Sequence, residues 1–170
     1  MPKQIEVALD TNVLLDLAID DEVVIDCLQT IRERLPSPVF VVLPTVIQEL
    51  VDILEYGETE AEKKQALDSL QNIRGKWQFF AVNCMPVGHG IVEETARKIR
   101  VRGLLPEEEV HDSFLLAESG LRDVSILLSN DAHIKEIDQR ALKLLFDECD
   151  IGCPLIASPK KIVTSFFQKK

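Results

Sequence analysis

Long apolar runs are missing from this chain of 170 residues. None approaches the roughly 18 consecutive apolar residues that a membrane-spanning helix needs. An excess of positive charge is missing too: 19 Lys and Arg stand against 29 Asp and Glu, a formal net charge of −10. That balance excludes a broad basic face for gripping nucleic acid. It leaves a local basic groove, or a metal ion, to supply positive charge. Glycine and proline are sparse, at 7 and 8 residues, while 46% of the chain is hydrophobic. Disordered, collagen-like and low-complexity classes are thereby excluded. Cysteine is limited to Cys27, Cys84, Cys149 and Cys153, scattered through core-forming segments. They read as reduced, buried thiols rather than a disulfide framework. Cys149 and Cys153 have the spacing of half a zinc site, but no second ligand pair matches them. No charged leader precedes the first apolar run, so the expected compartment is the cytoplasm.

What is present alternates between strand-like and helical runs. Ile5–Leu9 suits a buried strand and ends at Asp10-Thr11-Asn12, polar residues able to cap the helix that follows. Val23–Leu35 has helical spacing and is stopped by Pro36 and Pro38. Val39–Leu43 is a second strand rich in β-branched residues, and Pro44 opens a helix running to Tyr56. A charged helix is expected over Glu58–Arg74, a strand over Trp77–Val82 and a helix over Ile91–Val101. Pro106 is expected to open another helix running to Gly120. Val124–Leu128 is a fourth strand, Pro154–Ala157 a weak fifth, and Pro159–Phe167 a terminal helix. Strands separated by helices imply a three-layer α/β/α sandwich around a parallel sheet of four to five strands. The length suits one domain over residues 1–170.

Two acids directly follow core strands, Asp10 after the first and Asp131 after the fourth. In an open parallel sheet the carboxyl ends of the strands form the functional edge. Each acid is equally able simply to cap the next helix. Glu49 and Asp112 lie within helices, beside Val46 and Ile53 and beside Leu115 and Leu116 respectively. Residues three and four apart share a helical face, so both carboxylates border apolar stripes. Neither has Lys or Arg at those spacings. A buried, unpaired carboxylate is costly, and four acids in one crevice repel one another. A hard divalent cation held by carboxylates and waters relieves both problems, and its chemistry is phosphodiester hydrolysis.

The sequence resembles the PIN-domain nucleases. The resemblance rests on Leu9-Asp10-Thr11-Asn12-Val13-Leu14-Leu15 and on Glu49 within Gln48-Glu49-Leu50. It continues in Gly103-Leu104-Leu105-Pro106 followed by His111-Asp112 and Ala117, in Ser129-Asn130-Asp131, and in Ala157-Ser158-Pro159-Lys160-Lys161. It implies an acidic quartet of Asp10, Glu49, Asp112 and Asp131 that holds Mg²⁺ or Mn²⁺. Thr11, Asn12 and Ser129 would be secondary polar groups near the metal and the scissile phosphate. It further implies cleavage of single-stranded RNA, homodimerisation and, as in VapC-type toxins, an antitoxin partner. The chain departs from minimal toxins of that type in its length between Glu49 and Asp112 and in its acidity.

Arg97, Lys98, Arg100 and Arg102 form the densest basic stretch, either a phosphate contact or a solvated face with Glu93–Arg97 and Glu94–Lys98 pairs. His111 and His133 lie near the acids, and each is either an acid–base group or substrate contact or an ordinary surface histidine; His89, between glycines, reads as a loop residue. Trp77, Phe79 and Phe80 read as core rather than a base-stacking platform. Two other readings compete with a nuclease. One is a PIN-like binding module that no longer cuts. The other is a haloacid-dehalogenase-like phosphatase, whose second acid would fall where this chain has Asn12.

Overall fold

The structure, a computed structural model, describes residues 3–83 and 86–167, apart from the side chains of residues 86–89, 166 and 167. Cys84 lies outside the described residues. In chain order the elements are β1 (Glu6–Leu9), α1 (Thr11–Ala18), α2 (Glu22–Arg34), β2 (Val39–Val42), α3 (Pro44–Tyr56), α4 (Glu60–Arg74) and β3 (Phe80–Ala81). They continue with α5 (Pro86–Val101), α6 (Val110–Leu121), β4 (Ile126–Leu128), α7 (Ala132–Lys135), α8 (Gln139–Glu148), β5 (Leu155–Ala157) and α9 (Pro159–Phe167). The five strands pair in parallel in the order β3-β2-β1-β4-β5.

Strand β1 is central because its residues can be buried on both faces. Val7, Ala8 and Leu9 alternate in direction along the strand, yet all three are fully enclosed. Apolar cover on both sides is what a parallel sheet between helical layers requires. From β1 the chain runs outward through β2 to β3, then returns to β4 on the other side of β1. The loops after β1 and β4 therefore diverge, opening a crevice at the carboxyl edge where an α/β sheet binds its ligands. Among the described residues, no helix is long and apolar enough to cross a membrane.

Several local expectations are corrected. The third strand shrinks from Trp77–Val82 to Phe80–Ala81, because it is an edge strand paired with β2 alone. Phe79 is core, its ring packed at a tilt against Phe40 and Trp77 with centroids 5.5 and 5.6 Å away. Phe80 alternates to the other side, is 52% exposed and lies under the Arg122 guanidinium at 5.5 Å. The charged helix starts at Glu60 rather than Glu58, since Thr59 and Glu62 form a reciprocal capping box. Helix α5 begins at Pro86, upstream of Ile91, and so takes in His89. The fourth strand begins at Ile126 rather than Val124.

Pro106 does not open a helix. Its carbonyl accepts from the Glu109 N–H at 3.1 Å in a separate turn, and the Val110 N–H reaches back to the Glu108 carbonyl at 2.9 Å. Glu109, at φ −79° and ψ 60°, is the centre of an inverse γ-turn. Helix α6 starts only after it. Cys27 is buried, and its burial pushes the thiol up to about 12; Cys149 and Cys153 are half-buried free thiols.

Candidate metal centre at the carboxyl edge

Asp10 extends β1 by one step, its N–H donating to the Leu128 carbonyl at 2.9 Å. It also caps α1, its Oδ1 accepting from the Thr11 N–H at 2.7 Å. Its Oδ2 accepts from the Ser129 hydroxyl at 2.6 Å and the Asn12 amide at 3.2 Å. The carboxylate is almost wholly withdrawn from solvent, at 4% exposure. Burial, partly opposed by the Ser129 and Thr11 hydrogen bonds and reinforced by Glu49 and Asp131, pushes its pKa up to about 6.

Thr11, Asn12 and Ser129 stitch this edge together. The Thr11 hydroxyl donates to Glu49 Oε2 at 2.6 Å, tying α3 to the start of α1. Asn12 donates to Asp10 and accepts from the Asn130 N–H at 3.0 Å, so it spans the loops after β1 and β4. The Ser129 oxygen donates to Asp10 and accepts from the Asp131 N–H at 3.0 Å. Asp131 in turn caps α7, its Oδ1 accepting from the His133 and Ile134 N–H groups at 2.8 and 3.2 Å.

Asp112, in the first turn of α6, is the outlier. Its Oδ2 is buried and has no hydrogen-bond partner among the described residues. Burial raises its pKa to about 8, with the charges of Asp131, Asp10, Glu109 and Glu49 adding to the shift. The acids close enough to act on Asp112 are thus Asp131, Asp10, Glu109 and Glu49; Ser129 links Asp10 to Asp131, and Glu49 accepts from Thr11, the residue after Asp10. None of these five pairs with Lys or Arg among the described residues; Glu109 instead meets His133, Oε1 to Nδ1, at 3.0 Å.

Glu109 and His133 were not members of the expected quartet. With Asp112, they offer one ligand atom apiece within 4.8 Å of one another. The signal for Glu109 was its position three residues before Asp112, on the same helical face. His111 lies elsewhere, lining a cavity of about 220 Å³ with Thr45, Gln48, Val110 and Phe114.

The basic stretch divides. Arg97 forks onto Glu94, three residues back, with bonds of 3.0 and 2.6 Å, rather than making the expected pair with Glu93. Lys98 lines a cavity with Ile91, Glu94 and Cys149. Arg100 is half-buried. Arg102 pairs with Glu148 at 2.7 Å and also lines a cavity of about 470 Å³ that His133 borders.

The donor set fits a hard divalent cation. Carboxylate oxygens dominate it, and among the described residues no Lys or Arg pairs with these acids and one buried oxygen has no partner. No family model matches the sequence, and no curated protein matches it. Among solved structures the chain is similar to a chain of VapBC2 from Rickettsia felis, determined bound to a DNA fragment from their promoter. The TM-score is 0.62 and the identity 12%, and the match covers 91% of this chain and 98% of that one. At that identity the likeness is one of fold. The α/β architecture with an all-parallel five-stranded sheet is as expected from the order of strands and helices, and it is PIN-like, as the motif resemblance implied.

Proposed function

We propose that this chain is a metal-dependent endoribonuclease, one PIN-like domain that hydrolyses phosphodiester bonds of single-stranded RNA. The observation that carries the reading is the buried Asp112 oxygen, without a partner among the described residues and close to acids that no described Lys or Arg pairs with. Protein interiors rarely leave such a group unsatisfied, and a missing ion is one of the few accounts of it. Asp10, Glu49, Asp112 and Asp131 would hold Mg²⁺ or Mn²⁺. When bound, such a cation activates water and stabilises charge on the attacked phosphate and leaving oxygen.

The protein's own groups do the positioning. Ser129 and Asn12 fix Asp10 Oδ2, and Thr11 fixes Glu49 Oε2. The two N–H groups that start α7 hold Asp131. These bonds lock rotamers before substrate arrives, as a preorganised site requires. Of the basic stretch, Arg102 is the best placed to meet a phosphate, since it shares a cavity wall with His133; Arg97, Lys98 and Arg100 would act at longer range. The VapBC2 likeness supports an antitoxin partner, with which this chain would act in the cytoplasm as a homodimeric toxin. The phosphatase reading loses ground because Asn12 spends its side chain bridging Asp10 and Asn130.

The test is cleavage of single-stranded RNA by purified protein. Activity is expected with Mg²⁺ or Mn²⁺ and absent in EDTA, and Asp10→Asn should abolish most of it. Activity that survives both chelation and Asp10→Asn would overturn the reading. Preference for small phosphomonoesters would put the phosphatase first, and metal binding without any cleavage would favour a silent binding module.

A further inference from the structure

We propose that Glu109, Asp112 and His133 form a mixed oxygen–nitrogen cation position at the mouth of the crevice, one that takes Mn²⁺ in preference to Mg²⁺. The proposal rests on the metal-dependent reading through Asp112, which both share, and adds ligands and a selectivity to it.

Three observations support it. First, one ligand atom from each residue lies within 4.8 Å of the others. Around a cation with bonds of about 2.1 Å, neighbouring octahedral ligands stand about 3.0 Å apart and opposite ones about 4.2 Å. The 3.0 Å from His133 Nδ1 to Glu109 Oε1 matches a neighbouring pair. Second, the Asp112 carboxylate has a buried oxygen that nothing among the described residues satisfies. Third, the backbone brings the ligands in from separate elements. The inverse γ-turn at Glu109 delays the start of α6, leaving Glu109 as its cap and Asp112 in its first turn. His133 is presented by α7, its N–H fixed by Asp131.

The imidazole decides the selectivity. Mg²⁺ is bound through oxygen and holds its waters, whereas imidazole nitrogen suits transition metals. An all-carboxylate crevice gives little reason to prefer Mn²⁺, and a nitrogen ligand at its edge supplies one.

Calorimetric titration with Mn²⁺ and Mg²⁺, on the wild type, His133→Gln and Glu109→Gln, tests this. The wild type should bind Mn²⁺ more tightly than Mg²⁺. Either substitution should weaken Mn²⁺ by about tenfold or more while moving Mg²⁺ by less, so that the preference collapses. Electron spin-echo spectra of bound Mn²⁺ should show nitrogen modulation in the wild type and in Glu109→Gln, and none in His133→Gln. His133 is about half exposed, so its loss should leave the fold intact, which circular dichroism checks. Mn²⁺ bound without nitrogen modulation, its preference unchanged in both variants, would reduce Glu109–His133 to an ion pair. That result would overturn this proposal while sparing the acidic quartet. A wild type that binds neither ion at millimolar concentration would overturn both.

Discussion

Asp112 and Glu118 are both carboxylates on α6, both drawn out of solvent, and the protein treats them differently. Glu118 is 8% exposed and fully engaged: Oε1 accepts from the Thr45 hydroxyl at 2.7 Å and Oε2 from the Thr45 N–H at 3.1 Å. It thereby caps α3, whose own N-cap residue, Leu43, has no side chain able to do so. A negative group at a helix N-terminus is favourable there. Asp112, nearer the start of the same helix, has a buried oxygen without a partner and four acids around it. The first acid is structural, its cost offset by donors built into the fold. The second is left unbalanced among the described residues, and an unbalanced buried group points to something outside the chain.

Substituting the two residues should separate these roles. Asp112→Asn is expected to lower RNA cleavage by more than the roughly 10–100-fold typical of residues that only support a metal ligand. The same change should stabilise the metal-free protein, because Asn needs neither the bound proton nor the crowded charge that Asp112 must carry among four other acids. Each kcal/mol relieved would raise the melting temperature by about 2–4 °C. Glu118→Ala should do the reverse. It strands the Thr45 N–H at the start of α3 and should cost about 1–3 kcal/mol, with cleavage per folded molecule little changed. Melting curves and single-turnover cleavage on both variants decide it. An Asp112→Asn protein that is both less stable and fully active would erase the contrast.

A pH series sharpens the same comparison. Asp10 and Asp112 are both raised above their ordinary value of 3.8, to about 6 and about 8. Between 3.8 and those values the native protein holds more protons than the unfolded chain. Its stability therefore falls as pH rises. The loss begins near pH 4, is complete for Asp10 just above 6, and for Asp112 continues to about 8. The metal-free protein in EDTA should accordingly be more stable at pH 5 than at pH 8. Glu94 and Glu148, held down by their arginine partners, contribute oppositely and only as the pH falls below their ordinary 4.5. Adding Mn²⁺ or Mg²⁺ should reverse the slope at high pH, where the acids are ionised. A hundredfold excess over the dissociation constant should contribute about 2.7 kcal/mol. Asp112→Asn should flatten the upper half of the EDTA profile. A wild-type profile that rises from pH 5 to 8 in EDTA would mean that these acids have hidden cationic partners.

Much of this was legible in the sequence, and the failures share a cause. Strands β1, β2 and β4 announce themselves because β-branched and aliphatic runs have no other place than a doubly covered sheet. The edge strand β3 does not, since one neighbour supports only two residues of ladder. Asp10 and Asp131 could be located because a strand end fixes where they sit. Their partners across the crevice come from α3 and α6, and a linear pattern carries no distance between elements. Glu109 was overlooked as one of three successive glutamates, although a helix opened at Pro106 would already have put it on the face of Asp112. Glu118 borders the same apolar stripe as Asp112 but has Arg122 four residues on, an apparent local partner. In the fold Arg122 forks onto Glu6, with two bonds of 2.9 Å, and Glu118 turns to Thr45.

The smallest expected effect concerns the basic stretch, which also divides into two kinds of residue. Arg97 spends both of its bonds on Glu94 at an exposed face. Arg102 is likewise paired, with Glu148, yet it also lines the cavity that His133 borders. A phosphate of bound RNA lying in that cavity would compete with Glu148 for the guanidinium. Neutralising one phosphate changes the logarithmic salt dependence of single-strand binding by about 0.7. Arg102→Ala should therefore weaken binding of a short single-stranded RNA and lower that slope by about this amount, whatever the base sequence. Arg97→Ala should leave both unchanged. Neither should move the melting temperature measurably, because exposed ion pairs add little to stability. Binding titrations at several salt concentrations, in a metal that supports binding without turnover such as Ca²⁺, read the difference. Equal slopes for Arg102→Ala, Arg97→Ala and the wild type would remove Arg102 from the path of the RNA and leave the cavity beside His133 without a role in binding it.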